Sequence, residues 1–387
     1  MKLFFLNFLI SIGLYAQKPT IASIPFEVPK NRPAVFVEVT INNQPLSFFF
    51  DTGATSSLVD IETAKKIGIQ PNFTQDVLGA GGKKTYQIAT NQKLKLQSIT
   101  LDSINLVIDD LKVFKEKFDR PFNGIIGYDL LKKFKVAMDF NQKEFRLYDF
   151  KTKMDLADYE EIPFNFGNNI PIPQLKISTK IQDQKYTGIV FFDSGAGLSL
   201  LLNTPFAQAN HLPKTESKKL TSYSQNLSKK SESVDFLVQE IQLGTFSFKQ
   251  IEISASNDQA GVSAFPNYLG ILGAEIINRF NWVFDYENQK LYMKPNANFN
   301  KKFPQELAGF KIQEHDGKLW VENLAIESPF YTKGLRNGDE ILCVNGLKDK
   351  QKINDLLQKN GTKIKIKFSQ NGKKHRLTHR LYPILYP

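Results

Sequence analysis

Two aspartates in near-identical surroundings carry the chemistry available to this chain. Phe48-Phe49-Phe50-Asp51-Thr52-Gly53-Ala54 and Val190-Phe191-Phe192-Asp193-Ser194-Gly195-Ala196 lie 142 residues apart, and each apolar run ends on one carboxylate. An acid behind three apolar residues is poorly solvated. Two such acids brought together cannot both stay ionised at low cost, so they share a proton. A pair in that state can activate water: one carboxylate takes a proton while the other, protonated, donates to the bond being broken. Gly53 and Gly195 let backbone approach beside the acids, where a Cβ would intrude.

The elements that must position these acids are duplicated with them. Ile24-Pro25-Phe26 recurs as Ile162-Pro163-Phe164, Gly124-Ile125-Ile126-Gly127 as Gly270-Ile271-Leu272-Gly273, and Met138-Asp139-Phe140 as Phe284-Asp285-Tyr286. With the acid triplets, the offsets are 138, 142, 146 and 146, so order and spacing are both kept. A repeat of this kind is one structural unit used twice. Each copy reads as strands, an Asp-x-Gly turn, further strands, a glycine-flanked apolar pair, a short helix (128–134 and 274–280) and a closing hairpin. Two facing half-barrel lobes follow. A lone Asp-Thr-Gly is a common turn; two in matched repeats argue for a site. Asp139 and Asp285, also duplicated, precede hairpin turns, where aspartate is a usual turn starter. They are left out of the catalytic set.

The 387 residues, 41% hydrophobic and 12% aromatic, suffice for two or three folded domains. Residues 1–16 read as a secretory signal: Met1-Lys2, an apolar stretch from Leu3 to Leu14, then Ala16, too short to span a membrane. Export to a periplasmic, surface or extracellular location is expected, with no stable membrane span after cleavage. Cys343 is the single cysteine, which excludes an intrachain disulfide. The four histidines are scattered at His211, His315, His375 and His379, giving no zinc or transition-metal cluster. No metal and no cofactor are expected. The formal charge of +11 lies partly in alternating surface runs such as Lys363-Lys365-Lys367. Nucleic-acid binding would need exposed aromatic platforms or a known module, and neither is present. The excess suits acidic surfaces or acidic substrates.

The paired triplets with their glycine-flanked partners resemble the pepsin and retropepsin aspartic peptidases over about residues 24–297. The fold class expected is mainly β: a two-lobed acid-protease barrel fold, with lobes over 24–150 and 160–297. The resemblance implies Asp51 and Asp193 as the catalytic pair. Thr52 and Ser194 would bond across the pseudo-twofold interface and, with Gly53 and Gly195, support the active-site loops. The expected activity is endopeptidase cleavage of protein or peptide substrates by a monomer without a covalent intermediate. The glycine-rich stretch 78–86, with Gly79, Gly81, Gly82 and Tyr86, is the candidate substrate-covering flap. The polar stretch 221–226 is its counterpart in the second copy, either a second flap or a surface loop.

After Lys294-Pro295-Asn296-Ala297-Asn298 the chain changes character. Residues 303–387, with Gly334-Leu335-Arg336-Asn337-Gly338-Asp339-Glu340-Ile341 and Val344-Asn345-Gly346, resemble a bacterial-type PDZ domain, its groove helix falling at 352–359. The resemblance implies that backbone around Gly309 and Phe310 holds a C-terminal carboxylate while a peptide adds to the edge strand. Other readings remain. An Asp-x-Gly turn after an apolar strand also occurs in phosphate loops of actin-like ATPases and sugar kinases, but export makes ATP scarce and the repeated signals do not belong there. A catalytically silent peptide-binding protein on the same fold is the more serious alternative.

Overall fold

The computed structural model describes residues 20–30, 32–79, 82–118, 120–225 and 230–386. The candidate signal at 1–16 and Gly81 of the candidate flap lie outside them. The molecule is mainly β and two-lobed. In the first lobe, Phe36–Ile41, Gln44–Phe50, Gly124–Ile126, Leu58–Asp60, Ile99–Asp109 and Gly82–Leu96 pair in that order. A further pairing between the first and last of these strands closes them into a barrel. In the second, Gln174–Ile181, Gln184–Phe192, Gly270–Leu272, Leu200–Leu202, Phe246–Ser256 and Lys230–Leu243 close in the same way. Closure pairs both ends of each six-strand set, and Phe73–Gly79 and Lys219–Gln225 extend from the barrels as hairpin strands paired on one side.

Side-chain alternation along a strand explains the apolar triplets, since neighbours point to opposite faces. Phe48 and Phe50 enter the main core, while Phe49 enters a separate cluster with Phe36, Phe118 and Phe122. Val190 and Phe192 likewise enter the main core, and Phe191 joins Tyr268 and Ile271. At the acid-bearing end of each strand both faces are buried, which is why the triplets show no apolar–polar alternation.

A platform joins the lobes. Glu160–Pro163, Lys290–Pro295 and Phe280–Asp285 of the second copy continue directly into Lys135–Asp139, Glu144–Tyr148 and Ala22–Glu27 of the first. The seam is the antiparallel register Trp282↔Met138, Val283↔Ala137 and Phe284↔Val136. Phe284 lies beneath both acid strands, its ring centre 6.3 Å from that of Phe50 and 6.2 Å from that of Phe192. Across the seam, Lys135 Nζ pairs with Asp285 at 3.0 Å in a buried ion pair. The helices expected at 128–134 and 274–280 are shorter, Tyr128–Leu131 and Ala274–Ile277. In the second copy the platform claims the last residue, Phe280, as a strand residue opposite Pro295; in the first, residues 132–134 turn the chain into the strand that opens at Lys135.

Residues beyond the polar break form a five-stranded antiparallel sheet in the order Lys311–His315, Lys318–Glu322, Glu340–Val344, Lys363–Gln370, Lys373–Arg380. It has its own core around Phe310, Val321, Phe330, Ile353 and Ile366. The groove helix expected at 352–359 lies at Lys350–Leu357, started by Asp349 accepting from the Lys352 amide at 2.8 Å. This unit docks on the second lobe. Leu385 and Ala325 meet Leu220, Thr221 bonds Glu327, and the Arg279 guanidinium lies 3.5 Å over the Phe303 ring. Among the described residues no helix is long and apolar enough to cross a membrane.

Candidate active site

Each acid leaves the end of a strand whose neighbour is the glycine-flanked apolar pair. Phe48, Phe49 and Phe50 run parallel to Gly124, Ile125 and Ile126, and the Asp51 amide donates to Ile126 O at 2.9 Å. In the second lobe Val190, Phe191 and Phe192 run parallel to Gly270, Ile271 and Leu272, and the Asp193 amide donates to Leu272 O at 3.0 Å. The motifs separated by about 75 residues in sequence are thus adjacent strands, and they fix where each carboxyl points.

The turns interlock across the lobes. Thr52 Oγ1 donates to Phe192 O at 2.9 Å and accepts from the Ser194 amide at 2.9 Å, while Ser194 Oγ accepts from the Thr52 amide at 3.0 Å. Both side chains are buried. Gly53 and Gly195 matter for space. A Cβ on Gly53 would lie 2.6 Å from the Asp193 carboxyl, and one on Gly195 would collide with that of Asp51. Each acid therefore sits against the other triplet's glycine, so the two carboxyls meet at the centre, hydrogen-bonded to each other.

Backbone amides of the two turns serve both acids, the Gly195 amide acting on Asp51 as well as on Asp193. Asp51 Oδ1 accepts from the Gly53 amide at 2.7 Å, whereas Asp193 Oδ1 accepts from Gly195 at 2.8 Å and also from Ala196 at 3.1 Å. Burial, then the charge and hydrogen bond of Asp193, raise Asp51 well above the usual carboxylate range. Burial raises Asp193 too, opposed by its bond to Asp51 and by its two amides. Both shifts favour a proton shared between the two carboxyls, Asp51 being raised the further. Both carboxyls keep partial exposure, and they open into a cleft of about 2900 Å³.

Both lobes and the third unit wall this cleft. The hairpin of Phe73–Gly79 and Gly82–Leu96 pairs Gly79 with Gly82 near its tip. Tyr86 is on its second strand, buried against Phe49, Ala54 and Ile125, with Lys84 Nζ 5.0 Å above its ring. It forms cleft wall at the hairpin base. In the second lobe, Lys219–Gln225 and Lys230–Leu243 form the matching hairpin, also on the cleft, while Asn226 lies outside the described residues. Gly309 and Phe310 are apart from the acids, in the third unit. There the amides of Ala308 and Gly309 donate to Glu306 Oε1 at 2.9 and 2.8 Å, and Phe310 packs on Phe330. A carboxylate already occupies that loop, and it is the chain's own.

Asp139 and Asp285 do stabilise turns, through Asn141 and Asn288, with Asp285 serving the cross-lobe ion pair as well. Sequence reasoning missed three groups on or below the cleft. Tyr286 is buried close enough to Asp51 for that charge to raise its phenol further, after burial itself. Glu252 and Glu275 line the cleft and are raised by burial to about 8 and about 7. Glu252 and Glu275 are isolated acids in apolar elements, with no motif to mark them.

A family model of aspartyl proteases matches residues 37–130, the stretch holding Asp51 and its parallel partner. Over its first lobe, this chain is similar to aspartyl proteases. DNA damage-inducible protein 1 of Saccharomyces cerevisiae is 26% identical over 120 residues, which make up 30% of this chain and 26% of that protein. The chain thus covers about a quarter of that relative's length. The second lobe follows the first by the internal repeat and by the matched geometry of its acid strand.

Proposed function

We propose that the protein is an exported aspartic endopeptidase that hydrolyses peptide bonds with water activated between Asp51 and Asp193. One observation carries this reading: two carboxyls from repeated turns meet face to face at the base of a long cleft, locked by Thr52 and Ser194. The ionised carboxylate, on the Asp193 side, draws a proton from water as it attacks the scissile carbonyl. The protonated Asp51 side donates to the carbonyl oxygen, giving a gem-diol; Asp193 then passes the proton it took from water to the leaving amine, and as the C–N bond breaks the gem-diol returns a proton to Asp51. Both hairpins border the cleft, a position suited to covering a peptide that lies across the acids.

In this reading residues 1–16 are a cleaved signal, the lobes occupy 24–150 and 160–297, and 303–387 is a PDZ-like domain. Lys311–His315 is an edge strand bordering the cleft, a position suited to strand addition by a peptide. Capture of a C-terminus at Gly309 and Phe310 requires Glu306 to swing off the Ala308 and Gly309 amides.

The deciding experiment digests a complex peptide library with the signal-free protein from acidic to neutral pH, read by mass spectrometry beside the Asp51→Asn and Asp193→Asn proteins. Cuts made by the wild type alone are expected. Cuts retained by both variants would end the proposal, and no cuts by any of the three would favour a silent peptide-binding protein.

A further inference from the structure

Arg32, Lys117 and Lys311 come from three separate stretches: the loop before Phe36–Ile41, the end of the helix Lys112–Lys117 and the start of the strand Lys311–His315. All three line the cleft that holds Asp51 and Asp193. The Arg32 guanidinium and Lys117 Nζ lie 5.7 and 5.8 Å from the centre of one buried ring, Phe118. Lys311 reaches this place from the third unit, its Nζ donating to Tyr223 O at 3.0 Å. Two residues on, Gln313 contacts Glu116 Oε2 at 3.5 Å, where the third unit meets the first lobe's helix. The point lies at the junction that roofs the cleft.

Two neighbouring cations on this wall are matched: Lys115 pairs with Asp60 at 2.5 Å and Arg120 with Glu27 at 2.7 Å. Among the described residues, Arg32 and Lys117 have no carboxylate partner. Lys311 has Glu306 and Asp235 as acidic neighbours, and Arg32 and Lys230 as cationic ones. Like charges on a concave wall keep more of their repulsion than they would in open water. Lys117 keeps solvent contact at the cleft wall, yet the protein packed around its amine, then the charges of Arg32 and Lys311, lower it from its ordinary value. Among the described residues no carboxylate pairs with Arg32 or Lys117, and a ligand in the cleft is placed to supply the counter-charge.

We infer that Arg32, Lys117 and Lys311 form an anion subsite that binds a carboxylate of the peptide lying in the cleft. The inference rests on the peptidase reading and adds the substrate class, acidic peptides. The carboxylate is either an Asp or Glu side chain or a free C-terminus; the three cations meet the same group in both cases.

The test uses one cleavable peptide series in which a scanned position carries Glu or Gln, each made with a free and an amidated C-terminus. kcat/KM is measured for the wild type, the Arg32→Gln/Lys117→Gln protein, Lys117→Gln alone in case the double variant does not fold, and the remote control Lys66→Gln. The same peptides, fluorescently labelled, are titrated against Asp51→Asn protein with and without the paired substitutions, so that binding is read apart from cleavage. The wild type is expected to prefer the charged form by about fivefold or more. The paired substitutions should bring that ratio close to one, and Lys66→Gln should keep it. A preference tracking Glu assigns a side-chain carboxylate; one tracking the free terminus assigns the C-terminus. Equal handling of charged and neutral peptides by the wild type, or a preference that survives the paired substitutions, overturns the inference. If no peptide is cut, the peptidase reading fails and the titration alone decides: tighter binding of charged peptides that the substitutions abolish upholds the subsite, and charge-blind binding removes it.

Discussion

In the first lobe, Phe49 leads from the acid strand into a five-ring group with Phe36, Phe114, Phe118 and Phe122; in the second, Phe191 stacks on Tyr268 with Phe265 beside it. Below these clusters the lobes are alike: a strand ending in an acid, a parallel partner, and a ring resting on Phe284. Above them they diverge. The second lobe carries the third unit on Leu220, Thr221 and Glu252, while the first meets it through Glu116 and Gln313. The frame that positions the acids tolerates little change, because both lobes must reach one point in register. The walls are free to specialise, and they set what the cleft accepts.

The near-symmetry of the acids can be broken most sharply at the acids themselves. Asp51→Asn and Asp193→Asn should each lower peptide hydrolysis by about a hundredfold to ten-thousandfold. Their stabilities should respond differently to pH. A carboxyl whose folded pKa is raised contributes stability fully below its unfolded value, about 3.9, and loses that contribution as pH rises through the folded pKa. Wild-type stability should therefore fall as pH climbs above about 4. Asp51→Asn should flatten that fall more than Asp193→Asn, as followed by denaturant midpoints. Equal flattening would remove the assignment of the proton to the Asp51 side.

Phe284 tests the shared part of the frame. Phe284→Ala should cost about 3–5 kcal/mol in denaturant unfolding, and because its ring supports Phe50 and Phe192 alike, one cooperative transition should shift as a whole. Separate transitions for the lobes would show that the platform does not couple them.

The interlock should prove lopsided. Thr52→Ala removes two hydrogen bonds and strands the buried Ser194 amide and Phe192 carbonyl, for about 2–4 kcal/mol; Ser194→Ala removes one and should cost about 1–2 kcal/mol. Equal costs would contradict the bonding described. The smallest effect belongs to Glu252, which accepts from the Glu306 amide at 3.2 Å. Its raised value means its contribution is present below about 4.3 and lost as pH rises through about 8. Glu252→Gln should narrow the difference in stability between pH 5 and pH 9, measured by thermal unfolding, and leave it otherwise unchanged.

Asp51 and Asp193 could be read from the sequence because the signal is local. A carboxylate after an apolar strand and before a glycine is a turn that forms from neighbours in the chain, and its repetition identified the pair. The closing hairpins at Asp139 and Asp285 were legible for the same reason. Their joining into one platform was not, since the register of Trp282 on Met138 spans 144 residues and leaves no mark in either segment. The helix ends were misplaced where the platform took Phe280 into a strand and where residues 132–134 turn toward the strand opening at Lys135. Tyr86 was legible as a residue near the flap, whereas its burial against Phe49 depends on packing between distant strands.

The sequence by itself determined the two acid turns, their glycine-flanked partners and the order of the repeats, because each rests on hydrogen bonds and steric limits within a few residues. Only the tertiary structure decided that the acids meet with Asp51 raised further than Asp193, that Glu306 fills the loop at Gly309, and that Arg32, Lys117 and Lys311 face one cleft. Those facts depend on burial and on charges brought together from far along the chain. Burial and Coulomb energy are properties of distance in space, and distance in space is what folding supplies.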